Sequence, residues 1–188
     1  MNIVNVGYHS TNYYSLDIMG GKLLVDCGWP GSLREFIAQL RRKSIDPSEI
    51  KYLLVTHFHP DHAGLVQELK DIGAQLILLE SQSSALRPEQ SRSAPTSSSS
   101  VTVSPEDNLR LSFAESRQFL SSIGLSGEII ATRGHSEDSI SLILDDGSVF
   151  TGDLPPRDLV TDQDQITKQS WDRIYQHNVT RIFPAHGS

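Results

Sequence analysis

Three histidines and one aspartate fall within the six residues His57 to His62, inside the stretch ValThrHisPheHisProAspHisAlaGly. Imidazole and carboxylate groups packed this densely suit a divalent cation, and such an ion usually takes donors from more than one part of a chain. The feature therefore constrains the fold strongly, because distant segments must converge on this loop. His57 and His59 are two residues apart, so on an extended segment leaving a strand they project to the same side and can chelate one ion. Asp61 and His62 follow Pro60, which suits the first turn of a helix, where adjacent side chains diverge enough to face a second ion. The apolar run Tyr52–Val55 before the loop predicts a buried strand, and Ala63–Ile72 after it a helix stopped by Gly73.

An ion that must also bind substrate and water needs about three protein ligands, so the loop requires partners. His135 stands in ThrArgGlyHisSer after an expected strand Glu128–Thr132, Asp153 in ThrGlyAsp after Ser148–Thr151, and His186 in ProAlaHisGly after Arg181–Phe183. Each follows an apolar run and neighbours a glycine, which lets the backbone turn sharply and bring the side chain to one sheet edge.

The remaining pattern predicts strands at Asn2–Val6, Tyr13–Met19, Lys22–Asp26, Gln75–Leu79 and Ser139–Leu144, with turns at Gly20-Gly21 and Asp146-Gly147. Ser32 and Glu35 form a capping-box pattern ahead of an amphipathic helix over Ser32–Lys43, and further helices are expected over Phe113–Ile123 and Gln165–Gln176. Two halves of this kind suit sheet packed on sheet with helices outside. With 188 residues and 37% hydrophobic content the chain is expected to form one domain, with a serine-rich loop or lid over residues 81–107.

A net charge of −7, from 16 basic and 23 acidic residues, offers no footprint for a phosphate backbone, so nucleic acid is not an expected partner. The amino-terminal MNIVNVGYHS has neither a basic n-region nor a signal-length apolar run, and no segment approaches the roughly 18 apolar residues of a membrane span. This leads to the expectation of a cytoplasmic protein; the single cysteine, Cys27, fits a reducing compartment and a secreted protein without disulfides equally well. Monomer and homodimer stay equally open.

The marks ValAspCysGly at 25–28, ThrHisPheHisProAspHis at 56–62, GlyHisSer at 134–136, ThrGlyAsp at 151–153 and ProAlaHisGly at 184–187 resemble, in order, those of the metallo-β-lactamase-fold hydrolases. The resemblance runs over essentially the whole chain. It implies an α/β, four-layered αβ/βα sandwich with a two-metal site on one edge of the sheets. It also implies that His57, His59 and His135 bind the first metal, that Asp61, His62 and His186 bind the second, and that Asp153 bridges them. Asp26 matches the family's early aspartate, which orients a ligand or a loop rather than touching metal. The expected cofactors are two divalent ions, zinc foremost, with Mn²⁺ and Fe²⁺ compatible with the same donors.

The expected activity is hydrolysis of a small ester, lactone, thioester or phosphodiester by hydroxide generated between the metals, with Asp61 or Asp153 orienting it or passing its proton. The rival reading is a persulfide dioxygenase-like enzyme, in which two histidines and an aspartate hold one Fe²⁺. A true β-lactamase with a thiolate ligand is disfavoured because Cys27 lies in the wrong motif, and a non-catalytic metal-binding domain is disfavoured because every ligand is present. Expected substrate contacts are His9, Tyr13 and Tyr14 in the turn between the first strands, Arg133 beside His135, and Arg157 in the loop LeuProProArgAspLeu that follows Asp153.

Overall fold

A computed structural model describes residues 2–86 and 103–187, so most of the serine-rich segment lies outside the described residues. Strands β1 (Ile3–Asn5), β2 (Tyr14–Ile18), β3 (Gly21–Val25), β4 (Ile50–Leu54), β5 (Gln75–Leu79) and β6 (Leu109–Leu111) form one sheet in that order. The first three are antiparallel, and β3 through β6 run parallel. A second sheet has the order β10 (Arg181–Pro184), β9 (Ser148–Gly152), β8 (Ile140–Leu144), β7 (Gly127–Ala131).

Period-two alternation decides which side chains meet. On β5, Leu76 and Leu78 pack outward with Phe36 and Leu40 of α1 (Leu33–Arg42) and Val66 and Leu69 of α3 (Val66–Asp71). Ile77 and Leu79 point the other way, into a core shared with Ile129 of β7, Leu142 of β8 and Phe150 of β9. Because both faces are covered, β5 is apolar from Leu76 to Leu79 rather than alternating. The outer face of the second sheet is closed by Trp171 and Ile174 of α5 (Gln165–Ile174), packed with Ile143 and Val149. These are the layers of the expected sandwich. Helix α4 (Phe113–Ser122) contributes Leu120 to the core between the sheets.

Two local expectations are corrected. The helix expected over Ala63–Ile72 is two pieces, α2 (Pro60–Ala63) and α3, interrupted at Gly64 and Leu65. A Cβ on Gly64 would sit 2.3 Å from Pro30 N and 2.4 Å from Gly28 O, so the loop after β3 presses against the chain at the break. Ser32 precedes α1 without capping it: its hydroxyl donates to Trp29 O at 2.6 Å, and Glu35 pairs with His9. Strand β6 was missed because three residues carry no readable period.

Candidate metal centre

Strands β3 and β4 are parallel, and in the second sheet β7, β9 and β10 point the same way. The motif residues Asp26, His57–His62, His135, Asp153 and His186 all follow the carboxyl ends of these strands, which is why one sheet edge collects them. Gly152 makes one junction possible: its φ is +56°, and a Cβ there would stand 2.5 Å from Thr56 Oγ1, so the residue before Asp153 can lie against the first histidine loop.

Donor atoms of His57, His59 and His135 lie within 4.8 Å of one another, and so do those of Asp61, His62, Asp153 and His186. His135 Nε2 and His59 Nδ1 are 3.0 Å apart. Asp153 divides its carboxylate between the groups. Oδ2 is 3.8 Å from His57 Nε2 and 3.5 Å from His135 Nε2, while Oδ1 is 3.3 Å from both His62 Nε2 and His186 Nε2. Asp61 Oδ2 stands 3.4 Å from His62 Nε2 and 3.2 Å from His186 Nε2. Among the described residues, the buried atoms His57 Nε2, His62 Nε2 and Asp153 Oδ1 have no hydrogen-bond partner, although each faces this space. Buried polar atoms left unpaired are costly, and a divalent ion in each group would satisfy them.

The outer nitrogens are held. His62 Nδ1 donates to Asp26 Oδ2 at 2.9 Å, and His186 Nδ1 donates to Ser10 O at 2.7 Å. The Thr56 hydroxyl donates to Asp26 at 2.8 Å, so its lone pair accepts from His57 Nδ1 at 3.2 Å. Each bond leaves Nε2 as the ligating atom. Burial, reinforced by His62, pushes His57 down to about 2, which keeps it in the neutral form a metal requires. For His62 burial opposes the charge, but the carboxylates of Asp26, Asp153 and Asp61 outweigh it and raise the imidazole to about 12. Burial also opposes ionisation of Asp61 and Asp153, yet His62 holds both below the usual carboxylate range. Three carboxylates facing one imidazole demand positive charge, and a bound ion would replace the proton on His62 Nε2.

Asp26 lies where the resemblance placed it, next to a ligand. The turn between β1 and β2 departs from expectation. Tyr13 is fully buried and offers a substrate no surface. Tyr14 OH donates to Pro184 O at 2.7 Å, and Asn12 Nδ2 donates to Pro184 O at 3.1 Å and to Gly187 O at 2.9 Å. With the Ser10 bond, this turn positions the His186 loop. His9 is engaged at 2.9 Å with Glu35 on the surface. Arg157 sits in a 3-10 turn beyond Asp153, and Arg133 is exposed.

Asp138 was not singled out in the sequence. Its Oδ2 accepts from the amide of Phe58, between His57 and His59, at 2.8 Å, and its Oδ1 accepts from Ser136 Oγ at 2.7 Å. The carboxylate thus ties the first histidine loop to the loop of His135. A carboxylate three residues after a suspected ligand was the available signal. Asp138→Ala is expected to weaken one of two metal equivalents by about 10–100-fold, and Asp138→Asn, which keeps one acceptor, by less. Competition with a chromophoric chelator measures this; equal affinity in all three proteins would refute the role.

A two-sheet sandwich with this donor set on one edge defines a metallo-β-lactamase-fold protein. A model of the metallo-beta-lactamase superfamily matches residues 6–173, and the chain belongs to that superfamily. The match includes every donor except His186. Among curated relatives, a beta-lactamase-like protein 2 homolog of Caenorhabditis elegans is 28% identical over 181 residues, covering 94% of this chain and 56% of that protein. The Drosophila melanogaster homolog is 25% identical over 181 residues, with coverages of 95% and 59%. The chain therefore spans less than two thirds of these relatives. Among solved structures, the metallo-β-lactamase MIM-1 from Novosphingobium pentaromativorans aligns with a TM-score of 0.74 at 20% identity, covering 98% of this chain and 73% of that one. SMB-1, solved with mercaptoacetic acid, aligns at 0.73 with 23% identity, covering 98% and 77%. At these identities the structural likeness speaks for the fold alone. No helix among the described residues is long and apolar enough to cross a membrane.

Proposed function

We propose that the protein is a metal-dependent hydrolase of small esters, lactones, thioesters or phosphodiesters, working at a centre of two divalent ions, zinc foremost. The observation that carries this reading is the division of the Asp153 carboxylate, with Oδ2 toward His57 and His135 and Oδ1 toward His62 and His186. Two ions bound there would supply Lewis acidity toward a carbonyl or phosphoryl oxygen and a water whose pKa falls from about 15.7 toward 7. The chain's own groups do the positioning. Asp26, Ser10 and Thr56 fix the imidazoles of His62, His186 and His57, so each presents a lone pair without rotating. Asp61 and Asp153, both held ionised, can accept a hydrogen bond from the attacking water and so orient it. Pro155 and Pro156 stiffen the loop directly after Asp153. A cytoplasmic setting and a small-molecule substrate belong to the same proposal.

The test strips the protein with a chelator, reconstitutes it separately with zinc, manganese and iron, counts ions per chain and assays lactones, thioesters and phosphodiesters. Two ions per chain with metal-dependent hydrolysis is the expected result. One iron per chain with oxygen-dependent thiol oxidation would instead identify the dioxygenase chemistry, and full turnover by metal-free protein would exclude both.

A further inference from the structure

Between α5 and the loop that carries His135 lies a cleft of about 330 Å³ lined by Arg133, Glu137, Ile166, Gln169, Ser170 and Arg173. Its two walls come from different elements. Arg133 and Glu137 belong to the loop that carries His135, and the other four residues form one face of α5, spaced at three, four and seven residues. Two guanidinium groups thus share one concavity with a single acid, in a chain whose acidic residues outnumber its basic ones by 23 to 16.

Among the described residues, neither guanidinium is held by a short or bidentate pair. Arg133 Nη1 is 3.3 Å from Glu137, but the two side chains are 56% and 83% exposed, so water screens the pair heavily. Among the described residues, Arg173 makes one long bond, 3.4 Å from Nη1 to Ala131 O. Arg117 shows the contrast: it donates to Asp145 at 2.9 and 3.1 Å and to Glu128 at 2.6 Å. A guanidinium carries five N–H donors, so both cleft arginines keep most of theirs, and their planar forks match carboxylate and phosphate oxygens. The backbone of the loop is itself held against the helix, since Ser170 Oγ donates to Arg133 O at 2.6 Å. Ile166, 55% exposed, adds an apolar surface at the same cleft.

Arg133 is two residues from His135, so their Cα atoms are at most about 7 Å apart. We infer that the cleft binds an anionic arm, carboxylate or phosphate, of the molecule whose scissile bond meets the metal centre. The inference rests on the hydrolase reading for the scissile bond, but the anion site can be tested without it.

Two measurements on metal-loaded protein separate the outcomes. In the first, the side-chain Nε–H signals of Arg133 and Arg173 are followed by NMR while succinate or inorganic phosphate is added. Saturable shifts of both signals are expected, with the tighter anion identifying which kind of arm the cleft prefers. Unmoved signals overturn the inference, whether or not the protein hydrolyses anything. In the second, paired thioesters with the same acyl group and arms of matched length, ending in a neutral amide, a carboxylate or a phosphate, are compared by kcat/KM. An anionic arm is expected to be favoured about tenfold, mainly through KM, and the preference should shrink as salt rises. Arg133→Gln and Arg173→Gln should each reduce it, and the double variant should abolish it while leaving metal content unchanged. A preference that survives the double variant overturns the inference. Shifted arginine signals with no hydrolysis of any pair would keep the cleft and reject thioester hydrolysis.

Discussion

Asp153→Ala is expected to abolish both halves of the metal centre together and to reduce kcat/KM at least about a thousandfold. The reason is geometric. The two carboxylate oxygens serve different groups, so the substitution takes a donor from each of them at once. It also removes a negative charge that lies next to four imidazoles and helps a dication bind among them. A thousandfold loss corresponds to about 4 kcal/mol of transition-state stabilisation, within the several kcal/mol that metal-ion catalysis supplies. Metal analysis after dialysis should find both equivalents reduced. Asp153→Asn separates the two contributions, because it keeps one carbonyl oxygen, and one group should hold its ion better than the other. If Asp153→Ala retained two ions per chain and ordinary turnover, Asp153 would not be the bridge.

Asp26→Ala is expected to destabilise the protein by roughly 3–5 kcal/mol, the range for removing one partner of a buried ionic network. Its carboxylate is 3% exposed and accepts from Thr56 N at 2.7 Å, Thr56 Oγ1 at 2.8 Å and His62 Nδ1 at 2.9 Å. Alanine would leave all three donors buried without a partner. The backbone adds to the effect: Asp26 has a φ of +60°, a conformation an aspartate tolerates better than an alanine. For a chain of this size each kcal/mol moves the melting temperature by roughly 2–4 °C, so a drop of about 10 °C is expected in thermal unfolding. Metal affinity should fall most at the group containing His62, whose imidazole loses the bond that aims it. A melting temperature within 2 °C of the parent, with metal affinity intact, would refute this account.

The difference between Asp153 and Asp26 follows how visible each was in the sequence. ThrGlyAsp after an apolar strand marked Asp153 as a donor, and its place in the family pattern assigned it the bridge. Asp26 was marked only as a residue near a ligand. That its partner is His62, and that the same carboxylate also fixes Thr56, follows from β3 pairing in parallel with β4 so that both strands end at one edge. The turn over residues 9–14 gains a role from the tertiary structure. Its polar and aromatic residues suggested substrate contact, but Ser10, Asn12 and Tyr14 bond to the His186 loop 170 or more positions away, a partnership without any local signature. The same holds for Asp138, whose partner Phe58 is 80 residues distant, and for Arg173, which reads as one more polar residue of a helix until the His135 loop lies across it.

Residue chemistry and short-range spacing were enough to establish a chelating loop, the strands that deliver its partners, and the apolar alternation that makes a two-sheet core, because side-chain direction repeats every two residues on a strand and is a local property. The sharing of Asp153 between two groups of donors, the carboxylates that hold the histidines in register and the convergence of two arginines on one cleft belong to strand order and helix docking. Those depend on which surfaces bury each other at long range, so the cluster of metal donors was visible in the chain before folding and its supports were not.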